Sequence, residues 1–113
     1  MKRSISLIFL LAALVGAPGH AQQTGDPQQG LALARQVCAE CHAVQLQQLP
    51  SPRAGAPTFP EIAATPGMTS TGMTVALTTP HAGMPMFRLT GEQRADIIAY
   101  VLSLRPNGQQ PGK

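Results

Sequence analysis

The chain has 113 residues, a formal net charge of +3, no Trp and a single Tyr. This length is enough for one small domain with a modest hydrophobic core. The small net charge argues against a nucleic-acid or anionic-membrane surface. The scarcity of aromatic residues also excludes a stacking platform for bases.

The first 21 residues have the pattern of a secretory signal peptide. A basic start at Lys2 and Arg3 is followed by an apolar run over residues 5–15, and Gly19 and Ala21 place small residues at a cleavage site. The alternative, an uncleaved anchor, is disfavoured because the run is shorter than the ~20 residues of a membrane span. We therefore expect export to the periplasm, cleavage after about Ala21, and a mature domain over residues 22–113.

Four short helices are predicted, and no segment has the alternation of a strand. Asp26 and Pro27 suit the N-cap and first position of a helix, and Thr90 with Gln93 forms a capping-box pattern. Proline and glycine interrupt the loops between the helices. The helices are expected over about 27–38, within 58–64, within 68–78, and over about 91–104. The sequence therefore predicts an all-α fold of three to five short helices joined by irregular loops.

Cys38, Cys41 and His42 form a C-x-x-C-H motif, which is typical of covalent haem attachment. The two thiols can add to the two vinyl groups of a haem, and the imidazole can bind the iron. A thioredoxin-type dithiol would need a βαβ context that is not predicted here. A zinc site would need further ligands, and only His81 is available downstream. The motif therefore predicts one covalently bound haem c.

Several side chains could supply the second axial ligand of the iron. Met84 and Met86 lie in the irregular loop before the last helix, and Pro85 restricts the conformations of that loop. A methionine thioether as this ligand would raise the reduction potential of the iron relative to ligation by two nitrogens. His81 is a further candidate in the same loop. The two remaining internal methionines, Met68 and Met73, are expected in the core.

The sequence resembles the class I c-type cytochromes, the small monohaem electron carriers of the bacterial periplasm, over nearly all of residues 22–113. The resemblance rests on the haem motif, on Gly30, on the Ala56–Phe59 segment, on Met84-Pro85 and on the segment 96–101. It implies a cytochrome c fold wrapped around one haem. It also implies that Gly30 lies where the first and last helices cross, near Tyr100. Helix propensity alone does not distinguish this role from that of a glycine that is simply tolerated in the helix.

The resemblance has further implications for the site. It implies that the carbonyl of Pro57 accepts a hydrogen bond from Nδ1–H of His42, and it favours Met84, the methionine before proline, as the axial ligand. Met86 is the second choice. The short loop between His42 and Met84 and the lack of a lysine-rich surface differ from mitochondrial members, so mitochondrial partner choice is not implied.

We therefore expect an electron-transfer protein rather than an enzyme, with redox proteins as donor and acceptor and no nucleic-acid partner. Two alternatives stay open. The first is a haem subunit of a larger periplasmic oxidoreductase, associated with a membrane or periplasmic dehydrogenase or oxidase. The second is a haem-based sensor in which a gas displaces the methionine.

Overall fold

The computed structural model describes residues 24–106. The predicted signal peptide and the end of the chain after Pro106 lie outside the described residues. Within 24–106 there are four helices and no strand. The helices are α1 (Pro27–Val37), α2 (Phe59–Ala64), α3 (Ser70–Thr78) and α4 (Gly91–Ser103). The predicted all-α fold is therefore confirmed.

Side-chain caps define where the helices begin. The carboxylate of Asp26 accepts hydrogen bonds from the backbone N–H groups of Gln28 and Gln29 at the start of α1. Thr90 and Gln93 form the predicted reciprocal capping box of α4. Thr58 and Glu61 form a second reciprocal capping box at the start of α2, which was not predicted. Each box satisfies backbone donors that a helix start leaves without partners.

Helices α1 and α4 cross in close contact at Gly30. A Cβ atom placed on Gly30 would lie 2.0 Å from the carbonyl oxygen of Asp96 and 2.7 Å from Cβ of Tyr100. Next to this point, the N–H of Asp26 donates to the carboxylate of Asp96 over 2.7 Å. Gly30 is therefore required for the helix crossing, as the resemblance implied, and is not merely tolerated.

The core is built from all four helices and from the segment that follows the haem motif. Tyr100 of α4 is buried, with 7 % of its surface exposed. Met73 is buried and Met68 packs against the core, as predicted. The buried apolar side chains are Ala34, Cys38, Ala43, Val44, Phe59, Ala63, Met73, Ile97, Ile98, Tyr100 and Val101.

Arg105, just after α4, fixes the connection between α2 and α3. Its guanidinium donates to the backbone carbonyls of Ala63 and Met68. These carbonyls lie near the end of α2 and before α3, so the segment that follows α4 helps to position both α2 and α3. None of the helices in 24–106 has the length and apolarity needed to cross a membrane.

Candidate haem site

The C-x-x-C-H motif forms a tight turn that directly continues α1. Cys38 is the C-cap of the helix, and its carbonyl accepts hydrogen bonds from the N–H groups of Cys41 (3.1 Å) and His42 (2.9 Å). Both cysteines are free thiols, with Cys38 buried and Cys41 half-buried. Two thiols and an imidazole are therefore presented from one turn of backbone.

The environment of Cys38 does not resemble that of a redox-active dithiol. Burial raises the pKa of the Cys38 thiol to about 11, whereas reactive cysteines of C-x-x-C dithiols have a lowered pKa. In addition, the described part of the chain contains no cluster of three or more His, Cys, Asp or Glu side chains that could hold a metal ion. The raised pKa of Cys38 disfavours a thioredoxin-type dithiol at this motif.

The imidazole of His42 is oriented by the proline-rich loop. Its Nδ1 lies 2.6 Å from the carbonyl oxygen of Pro57. A carbonyl can only accept, so Nδ1 carries the hydrogen and donates it, and the lone pair of the neutral ring lies on Nε2. The ring also contacts Phe59, with the two ring centroids 5.6 Å apart. The hydrogen bond implied by the resemblance is thus present, and Nε2 is available to a metal.

Backbone and side-chain hydrogen bonds attach the proline-rich loop to the haem motif. The N–H of Ala43 donates to the hydroxyl of Ser51 (3.0 Å), and the N–H of Phe59 donates to the carbonyl of Ala43 (2.9 Å). The N–H of Arg53 donates to the carbonyl of Cys41 (3.2 Å). Ser51 was missed by sequence reasoning, since a serine between two prolines has no pattern that reveals its partner.

The second loop presents Met84 from a β-turn. The N–H of Met84 donates to the carbonyl of His81 (3.3 Å). Gly83, the third residue of this turn, has a φ of +82°, which favours glycine. Met84 is half-buried, and its Sδ lies 3.1 Å from Nε2 of His81. Met86, by contrast, is 51 % exposed.

The donor groups fit a covalently attached haem. The free thiols of Cys38 and Cys41 lie on a single turn of backbone, where they can add to the two vinyl groups of one haem. The adjacent His42 has a fixed Nδ1–H and an available Nε2, and a thioether is present in the loop before α4. Imidazole and thioether are known axial ligands of haem iron in cytochromes.

Comparison with known proteins agrees with this donor set. The family model for cytochrome c matches residues 27–105. The chain belongs to the cytochrome c family. It is 34 % identical over 96 residues to Cytochrome c-552 of Bradyrhizobium diazoefficiens, and the match covers 85 % of this chain and 91 % of the relative. No solved structure matches the chain.

Family membership confirms several predictions. The protein is a haem-based electron carrier with covalently bound haem c, and it exchanges electrons with redox partners. The all-α cytochrome c fold agrees with the four helices of residues 24–106. The identity of the axial ligands and the location in the cell are not tested by family membership and stay predictions.

Proposed function

We propose that the protein is a periplasmic one-electron carrier whose iron is bound by His42 and Met84. Cys38 and Cys41 are the only cysteines in the chain, so they would form both thioether bonds to the haem. The haem supplies a single iron that accepts or releases one electron. His42 and Met84 would supply both protein ligands of this iron, so no position would be left for oxygen or for a substrate.

The observation that carries this proposal is the hydrogen bond from Nδ1 of His42 to Pro57. A histidine that binds a metal usually donates its other ring N–H to a carbonyl or carboxylate, which fixes the ring and raises its basicity. Here the acceptor is a backbone carbonyl in a loop that further hydrogen bonds attach to the haem motif. The axial imidazole would therefore keep its orientation in both oxidation states.

The turn at residues 81–84 supports Met84 over Met86 as the second ligand. The side chain of Met84 is half-buried and projects from a closed turn, whereas Met86 lies mostly in solvent. A ligand on a restricted turn loses little conformational freedom on binding. Methionine ligation would raise the reduction potential relative to ligation by two nitrogens.

Redox partners are proposed to dock over the two loops that adjoin the site. Both loops expose large apolar side chains, which are Leu46, Leu49, Met86 and Phe87. Redox encounters use small, short-lived interfaces, and a few exposed side chains are enough to form the centre of one. Residues 1–21 are proposed to direct export to the periplasm, where residues 22–113 would form the haem domain.

The Met84 assignment is tested by the ferric optical spectrum of the haem-loaded protein. The Met84→Ala variant should lose the methionine–iron charge-transfer band, because the sulfur ligand is gone. The matched control Met86→Ala should keep that band. Retention of the band in Met84→Ala, or its loss in Met86→Ala alone, would contradict the assignment.

A further inference from the structure

His81 and Met84 are brought together by the backbone of their turn. The hydrogen bond from the Met84 N–H to the His81 carbonyl closes the turn, and Gly83 allows its left-handed position. As a result, Nε2 of the imidazole lies 3.1 Å from Sδ of Met84. No feature of the proposed electron carrier requires a histidine at this place.

The imidazole of His81, like that of His42, has a backbone carbonyl beside Nδ1, but its Nε2 is also in contact with a side chain. Its Nδ1 lies 3.2 Å from the carbonyl oxygen of Thr79. The carbonyl oxygen and the thioether sulfur can both only accept. A neutral ring with its hydrogen on Nδ1 therefore donates to Thr79 and keeps its lone pair on Nε2, whereas the other tautomer donates from Nε2 to Met84. Donation from Nδ1 to a backbone carbonyl is the arrangement found in metal-binding histidines. The turn therefore presents two metal-binding atoms, a nitrogen and a sulfur, at nearly the same position.

We propose that His81 is a reserve ligand, whose Nε2 binds the iron opposite His42 whenever the Met84 thioether does not. This inference rests on the proposed ligation by His42 and Met84. The exchange is a ligand substitution: one iron–sulfur bond breaks and one iron–nitrogen bond forms. In the tautomer with the ring hydrogen on Nδ1, each ligand donates a lone pair from a neutral group, so no electron or proton is transferred.

The short distance along the chain makes this substitution effective. An imidazole tethered three residues from Met84 competes for the iron at an effective concentration on the order of millimolar or higher. Ligation by two imidazoles lowers the reduction potential relative to His/Met ligation. The protein would therefore keep a six-coordinate iron, closed to small molecules, when Met84 is displaced.

The test compares the haem-loaded Met84→Ala variant with the double variant Met84→Ala/His81→Ala. The single variant should be low-spin in both oxidation states, without the methionine charge-transfer band and with a lower reduction potential than the wild type. The double variant should be high-spin. Its apparent carbon monoxide affinity should be at least about tenfold higher than that of the single variant, because occupancy by His81 near 90 % reduces the competent fraction to a tenth.

A matched double variant, Met84→Ala/Met86→Ala, controls for substitution by the other loop methionine. It should match Met84→Ala in spin state and carbon monoxide affinity. A high-spin Met84→Ala protein, or a high-spin Met84→Ala/Met86→Ala control, would overturn the role of His81. The corresponding Met84→Ser proteins, with helix content checked by circular dichroism, give the same comparison if the alanine proteins fail to fold.

Failure of this inference is distinguishable from failure of the proposed function. If Met84→Ala loses the charge-transfer band but becomes high-spin, Met84 remains the native ligand and only the reserve role of His81 is wrong. If Met84→Ala keeps the band, the native ligation by Met84 is wrong.

Discussion

At the scale of single residues, Tyr100 connects the last helix to the haem motif. Its hydroxyl donates to the carbonyl of Val44 over 2.5 Å, and both residues are buried. Burial raises the pKa of Tyr100, and the nearby positive charge of Arg35 lowers it in part. Because Val44 lies two residues after His42, this hydrogen bond positions the backbone that follows the axial imidazole.

Tyr100→Phe should therefore destabilise the protein without changing its packing volume. Removal of a buried donor costs about 1–3 kcal/mol in the free energy of unfolding, which urea denaturation of the haem-loaded protein would measure. Ser103→Ala is the matched control, because it also deletes a hydroxyl that donates to a carbonyl of α4, on an exposed residue. The control should change the free energy by less than about 0.5 kcal/mol. Equal effects of the two substitutions would contradict the role given to Tyr100.

At the scale of elements, the crossing of α1 and α4 holds the backbone on which the haem motif is built. The crossing brings the backbone of Gly30 against the carbonyl of Asp96. The haem motif continues directly from α1, and Tyr100 of α4 contacts the segment after it. The distance between these two helices therefore sets the position of the thiols and of His42 relative to the core.

Gly30→Ala should strongly destabilise the protein, because its Cβ would lie 2.0 Å from a backbone oxygen that belongs to a packed helix. We expect a loss of about 3 kcal/mol in the free energy of unfolding, at the upper end of overpacking effects. Gly91→Ala is the matched control, since a Cβ there meets no atom within 4 Å. It should leave stability within about 1 kcal/mol of the wild type. A stable Gly30→Ala protein would show that the helices do not need this close approach.

The capping box of α2 should make stability depend on pH, whereas that of α4 should not. Hydrogen bonds from the backbone and side chain of Thr58 lower the pKa of Glu61 below its ordinary value of 4.5. The contribution of the ionised carboxylate is therefore present above pH 4.5 and is lost as the pH falls through the lower pKa of the folded state. Gln93, the corresponding residue of α4, does not titrate.

The measurement is the free energy of unfolding of wild type and Glu61→Gln as a function of pH. The advantage of the wild type should be constant above pH 4.5 and should shrink as the solution is acidified further. The difference between wild type and Gln93→Ala should stay flat over the same range. A wild-type advantage that grew on acidification would show that the pKa of Glu61 is raised instead.

At the scale of the whole molecule, the family's covalent haem adds to a small protein core. The buried apolar side chains of residues 24–106 come from four short helices and the segment after His42. Domains of this size often depend on a disulfide, metal or cofactor for stability. The turn after α1 therefore has two roles. Its residues attach the haem, and they also connect α1 to the loop around Pro57.

Local sequence signals predicted much of this architecture. Asp26 and the pair of Thr90 and Gln93 marked helix starts correctly, because a cap depends on residues close in sequence. The hydrogen bond from Tyr100 to Val44 was not predicted, because its partners are 56 residues apart and no local pattern connects them. The composition of the Met84 loop also did not reveal the contact with His81, which depends on the backbone conformation of Gly83.

The most direct test of the central claim is a redox titration of the wild-type haem-loaded protein followed by optical spectra. We expect a single transition that involves one electron. The spectra should be low-spin in both oxidation states, and a methionine–iron charge-transfer band should be present in the ferric form only. Carbon monoxide should leave the ferrous spectrum unchanged, because both axial positions are filled. A high-spin state, or a ferrous protein that binds carbon monoxide readily, would contradict the proposal of a six-coordinate electron carrier.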